Sequence, residues 1–102
     1  TRRDGDRPEK GVTSPVVVQG LSRPEYPRYS RTHGEEGRVL LSVVVHADGT
    51  PGKIEVVRSS GYRRLDRAAV RALEKASFLP AREDGQAVES TKKINFRFQL
   101  ED

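Results

Sequence analysis

The chain has 102 residues, no cysteine, no tryptophan, and 19 lysines and arginines against 15 acidic residues, giving a net charge of +4. Such a length suits one small domain, and the absence of thiols excludes a disulfide framework and thiolate metal sites. No stretch approaches the roughly 20 apolar residues that a membrane-crossing helix needs; a basic balance raises nucleic acid or a membrane surface as partners, but the charges are interleaved, so they read first as an ordinary solvated surface with no nucleic-acid partner, and an anionic partner is the second reading.

The first stretch, "TRRDGDRPEKGVTSP", is charged and dotted with proline and glycine. It carries too little apolar surface to offset its ordering entropy, so residues 1–21 read as a linker, mostly flexible, ahead of a domain over 22–102. No secretory signal is visible, and a chain opening on Thr1 reads as a piece of a longer one. "VVVQGL" at 16–21 is the first apolar patch, either a short strand or a segment lying against the domain. Pro24 and Pro27 bracket Glu25 and Tyr26, and Pro27 suits the first turn of a short helix running to His33 and stopping at Gly34.

Residues 38–46 carry Val39, Leu40, Leu41, Val43, Val44 and Val45, whose β-branched content predicts a strand with apolar residues on both faces. "ADGTPG" signals a turn, and "KIEVVRSS" follows as the second arm of a hairpin. The spacing becomes helical over 63–77, where Leu65, Ala69, Ala72 and Ala76 recur at three and four; the alanines predict a helix lying close to a sheet, ended by Pro80. "AREDGQ" reads as a loop. Last, Ile94, Phe96, Phe98 and Leu100 alternate with Asn95, Arg97 and Gln99, the pattern of a half-buried strand.

The strand richest in apolar residues on both faces belongs at the centre of the sheet. The expected fold class is therefore α+β in two layers: a three-stranded antiparallel sheet of order 2-1-3 with two helices packed on one face. The last strand then lies at an edge. Its outward amides belong either to Asn95, Arg97 and Gln99 or to Phe96 and Phe98; the pattern does not choose.

Catalytic chemistry lacks candidates. Ser59 and Ser60 precede a helix and read as capping residues, with no histidine base beside them. His33 and His46 have no companion ligands, so neither a metal nor a cofactor is expected, and the chain does not read as an enzyme. Glu35 and Glu36 read as solvated surface. So do Arg58, Arg63, Arg64 and Arg67, whose basic patch would otherwise attract an acidic partner or lipid headgroups.

The ordered series "PEYP", "EGRVLLSVVVHADGTPGKIEVVRSSG", "LDRAAVRAL", "FLPA" and "INFRF" resembles the C-terminal domain of the TonB family over roughly 22–100. That resemblance implies a periplasmic module of Gram-negative bacteria, anchored in the inner membrane by an N-terminal helix that couples it to the ExbB–ExbD motor. It also implies binding of the TonB box peptide of TonB-dependent outer-membrane receptors, by strand addition, in the uptake of siderophore iron or cobalamin-type ligands. By correspondence the peptide-binding strand is Lys93, Ile94, Asn95, Phe96, Arg97, Phe98, Gln99 and Leu100. A second receptor-contacting region falls on Arg23, Pro24 and Glu25, beside Tyr26 and Pro27. Two positions depart from the pattern: Ala76 stands where the family often has tryptophan, whose volume Leu21 or Leu79 would fill, and Arg23 replaces a glutamine, which would make the contact there charge-assisted. An exposed edge also invites a homodimer. The alternatives are a TolA-like structural envelope-bridging protein and a basic α/β nucleic-acid-binding module. The latter would need exposed aromatics on the sheet, whereas Phe96 and Phe98 share a face with Ile94 and Leu100.

Overall fold

The computed structural model describes residues 13–101. Its elements follow in the order β1 (Thr13–Ser14), β2 (Val17–Gly20), α1 (Arg28–Thr32), β3 (Gly37–Val45), β4 (Pro51–Arg58), α2 (Arg63–Glu74), β5 (Ser77–Leu79), β6 (Ala81–Glu83), β7 (Gln86–Val88) and β8 (Ser90–Phe98). The largest sheet has the order β4-β3-β8, antiparallel throughout. This is the expected 2-1-3 sheet with its hairpin and its returning last strand. The part of the expected linker before Thr13 lies outside the described residues.

Burial explains why β3 takes the centre. Val39, Leu41, Val43 and Val45 have no exposed surface, while Leu40, Ser42 and Val44 on the opposite face are half-buried. Against the first face lies α2, which buries Leu65, Ala68, Ala69, Ala72 and Leu73. The alanines let the helix axis approach the sheet, and the two leucines fill the layer between them. Phe96 and Phe98 from β8, Phe78 from β5 and Val16 complete the same core.

The structure corrects several expectations. The helix stops at Glu74, well short of Pro80. Chain from Ser77 to Leu79 instead forms β5, because Phe78 is drawn into the core and the strand pairs with β2; Pro80 merely separates β5 from β6. "AREDGQ" is not a loop but most of a hairpin. Asp84 and Gly85 both have positive φ (51° and 84°), the two-residue turn that joins right-twisted strands, and β6 pairs with both β7 and β1. Pairing thus reaches back to Thr13, upstream of the boundary expected at 21/22. Leu21 and Leu79 do not fill the space left by Ala76: both are exposed, while Val16 and Phe78 join Ala76 in the core.

Ser59 and Ser60 do not cap α2 directly. The N-cap is Tyr62, which makes no side-chain cap bond. Asp66, in the first turn, reaches back instead: its carboxylate accepts from the Ser60 amide at 2.9 Å and from both serine hydroxyls. A carboxylate there also sits favourably in the dipole of the helix start.

The β3–β4 turn is fastened to the rest of the molecule at Gly49. Its amide donates to the His46 carbonyl at 2.8 Å, and its carbonyl accepts from the Phe78 amide at 3.0 Å. With φ of +90°, a Cβ at this position would lie 2.2 Å from the Phe78 carbonyl oxygen. Gly34, after α1, has φ of +68° but open space around it. Gly34→Ala should therefore cost only the left-handed strain of about 1 kcal/mol, whereas Gly49→Ala adds a backbone collision and should cost about 2–4 kcal/mol. Equal losses by urea denaturation would mean that the turn and β5 separate freely.

Candidate functional site

The geometry of β8 follows from the regularity of β3. Both register shifts in the β3–β4 pairing place the extra residue on β4, so β3 itself alternates without a break. At its end the His46 amide donates toward β4, to the Thr50 carbonyl at 2.9 Å. Alternation then turns the backbone groups of Val45, Val43, Leu41, Val39 and Gly37 toward β8, where they face Ser90, Lys92, Ile94, Phe96 and Phe98. Thr91, Lys93, Asn95 and Arg97 consequently point their amides and carbonyls away from the sheet. Leu100, in step with Phe98, agrees: its amide turns to the β3 side and donates to Glu36 Oε2 at 2.7 Å. Among the described residues no strand pairs with this outer side.

The strand runs over Ser90–Phe98 rather than over the expected 93–100, so Gln99 and Leu100 lie just beyond it. Phe96 and Phe98 are buried, Ile94 is half-buried, and Lys93, Asn95 and Arg97 are exposed. The sheet accordingly presents no phenylalanine platform on which bases would stack.

At the Phe98 end the edge meets the proline segment. The Tyr26 ring packs edge-on against Phe98, with centroids 5.3 Å apart at 87°, and its hydroxyl donates to the Glu35 carbonyl. Fully buried Ser30 on α1 donates to Glu35 Oε1 at 2.7 Å. With Glu36 holding the Leu100 amide, the two glutamates join the segment before β3 to α1 and to the exit of β8. Reading them as solvated surface missed this role: Glu35 bonds Tyr26 and Ser30 just upstream, while the partner of Glu36, Leu100, lies far off in the chain. Arg64 is likewise more than solvated surface, since its guanidinium lies 3.8 Å over the Tyr29 ring, which itself stacks on His33.

Between these elements lies a cleft of about 710 Å³. Its lining unites Arg23, Pro24 and Tyr26 with Arg97, Phe98, Gln99 and Leu100, and adds Arg31 and Glu101, which the sequence did not single out. The other expected residues are not gathered here. Glu25 lines a separate cleft against α2, Pro27 is the N-cap of α1, and Lys93, Ile94, Asn95 and Phe96 continue along the strand. Among the described residues no group of three or more metal-ligating side chains forms; His46 faces Glu89 at 3.8 Å.

Comparison with known proteins now bears on this arrangement. The family described as the Gram-negative bacterial TonB protein C-terminal matches residues 22–100. The chain is 43% identical to the tonB2 protein of Pseudomonas aeruginosa over 77 residues, covering 76% of this chain and 28% of that protein. It is 36% identical to the TonB protein of Vibrio cholerae over 90 residues, covering 88% and 37%. The chain thus spans only about a third of the length of these relatives. The solution structure of the Pseudomonas aeruginosa TonB C-terminal domain superposes with a TM-score of 0.72 at 31% identity, covering 87% of this chain and 90% of that one.

Burial, and next to it the negative charge of Glu36, push the Tyr26 phenol above its ordinary pKa, with Arg31 pulling the other way. The folded chain therefore holds this proton above the unfolded value of about 10. Stability from it is complete below that value and is lost as pH rises through the higher folded one. Tyr26→Phe should cost about 0.5–1.5 kcal/mol at neutral pH by orphaning the Glu35 carbonyl. The gap between wild type and variant should narrow on going from about pH 9 to about pH 11; urea denaturation at both values measures it, and a gap that widens would refute the assignment.

Proposed function

The chain belongs to the family of TonB C-terminal domains, and from that premise we propose that it is the receptor-engaging end of a TonB-type energy transducer. In this reading it works in the periplasm, joined through an inner-membrane helix elsewhere in the protein to an ExbB–ExbD motor. Its partner is the TonB box of outer-membrane receptors, and the cargo is siderophore iron or a cobalamin-type ligand. The residues proposed to meet the receptor are those of the β8 edge, Lys93, Ile94, Asn95, Phe96, Arg97 and Phe98, with Gln99 and Leu100 beyond it. Arg23, Pro24, Glu25, Tyr26 and Pro27 flank the edge's far end.

One observation carries the proposal: β8 keeps an outward row of amides and carbonyls, in regular repeat, on a strand otherwise locked to the core. An extended peptide laid there gains main-chain hydrogen bonds, and alternate side chains add selectivity. Strand addition also suits force transmission. Pulling two paired strands along their length loads their hydrogen bonds together rather than one by one.

Asn95 tests this cleanly, because its amide points outward, its side chain is exposed, and it lies outside the cleft. Proline at an edge position whose amide faces away removes one donor and spares the sheet. Asn95→Pro should weaken binding of an uncharged TonB-box peptide about tenfold relative to Asn95→Ala, on the scale of one lost hydrogen bond plus local misfit. Calorimetry measures the affinities, circular dichroism checks the fold, and sedimentation confirms monomers, since a second copy would compete for the same edge. A folded proline variant that binds as well as the alanine variant refutes strand addition at β8.

A further inference from the structure

We propose that the cleft at the end of β8 is a carboxylate-selecting subsite, in which Arg23, Arg31 and Arg97 hold one acidic side chain of the peptide paired with that strand. This rests on strand addition at β8 and specifies the chemistry of the segment bound there.

Three arginines from three separate elements open on the same cleft: Arg23 before the Tyr-Pro turn, Arg31 on α1 and Arg97 on β8. Against them the lining offers a single carboxylate, Glu101. Among the described residues none of the three arginines has an ion-pair partner, although the chain carries 15 acidic residues. On an ordinary interleaved surface such like charges would be spread apart or neutralised. Here the fold brings them together: Tyr26 fixes the proline segment to Phe98, and Arg31 lies 5.9 Å over the same tyrosine ring.

An incoming carboxylate would accept charge-assisted hydrogen bonds, which guanidinium groups make in bidentate form. A peptide side chain is the fitting source of that charge because the cleft continues the pairing edge. The outward amide of Arg97 is the last in the row, so a chain paired along β8 runs directly into the arginines. The departure at Arg23 thus acquires a partner in Arg31, which the sequence alone did not connect to it.

A scan tests the subsite. In a short uncharged peptide that binds the domain, single residues are replaced in turn by glutamate, each compared with glutamine at the same place. At one place glutamate should bind about tenfold more tightly than glutamine at low salt, with the advantage shrinking as salt rises. Arg31→Gln should abolish that advantage and leave glutamine-peptide affinity unchanged. Arg23→Gln should abolish the advantage too, whatever it does to overall affinity, which guards against a packing effect of losing Arg31 from the Tyr26 ring; Arg67→Gln, away from the cleft, should do nothing. Glutamate and glutamine peptides that bind alike at every place would overturn the subsite and leave strand addition standing. If no peptide binds at all, strand addition itself fails and takes the subsite with it. An advantage that survives both cleft substitutions but falls with Arg67→Gln would also overturn it, assigning the effect to net charge.

Discussion

The structure depends on β3 being buried along one whole face and bonded on both edges. Val39, Leu41, Val43 and Val45 are shut off from solvent, which fixes their register, because a shift by one residue would turn every one of them to water. That constraint passes to β8, paired with β3 over nine consecutive residues without irregularity. It also decides which β8 groups remain unbonded. A strand held this firmly on its inner side presents its outer amides at a fixed spacing, and that is what a pairing peptide requires. Burial on one face therefore determines the chemistry of an edge that takes no part in the core.

The far end of this edge is organised by bonds within residues 26–36 and by contacts from that segment to the end of β8. Tyr26 touches Phe98 and Glu35, Ser30 bonds Glu35, and Glu36 holds the Leu100 amide. Each contact is modest alone, a hydrogen bond being worth about 0.5–1.5 kcal/mol net. Together they fix the proline segment beside β8 and shape the cleft between them. The proline segment is thus both a structural turn and a wall of the candidate site, and the two roles are not alternatives.

Much of this was legible in the residues, for physical reasons that can be named. The apolar run at 39–45 required a strand covered on both sides, and the strict alternation from Ile94 required one covered on a single side. These two facts yield the order of the sheet and the free edge. The short strands were not legible. "ARE" and "QAV" have no apolar alternation and owe their form to the Asp84–Gly85 turn and to pairing with Thr13 and Ser14. β5 was hidden because Phe78 sits where a helical pattern was fading, and only pairing with Val17–Gly20 distinguishes strand from helix end. In the site, Arg23 and Arg97 could be singled out one at a time, but not their meeting with Arg31. That meeting depends on the Tyr26–Phe98 contact between residues far apart in sequence.

The sheet has two edges, and they are built differently. β4 pairs with β3 through two register shifts and carries Lys53 and Glu55 in an ion pair at 3.3 Å. Bulges twist a strand and interrupt the repeat of its outward groups, which is how an edge is made unfit for pairing. β8 has no such interruption. Its protection against edge pairing is limited to the charges of exposed Lys93 and Arg97. A protein guarding equally against all edge pairing would have bulged both strands. This one spoils the repeat on one edge and leaves the other regular, with exposed Lys93 and Arg97 upon it.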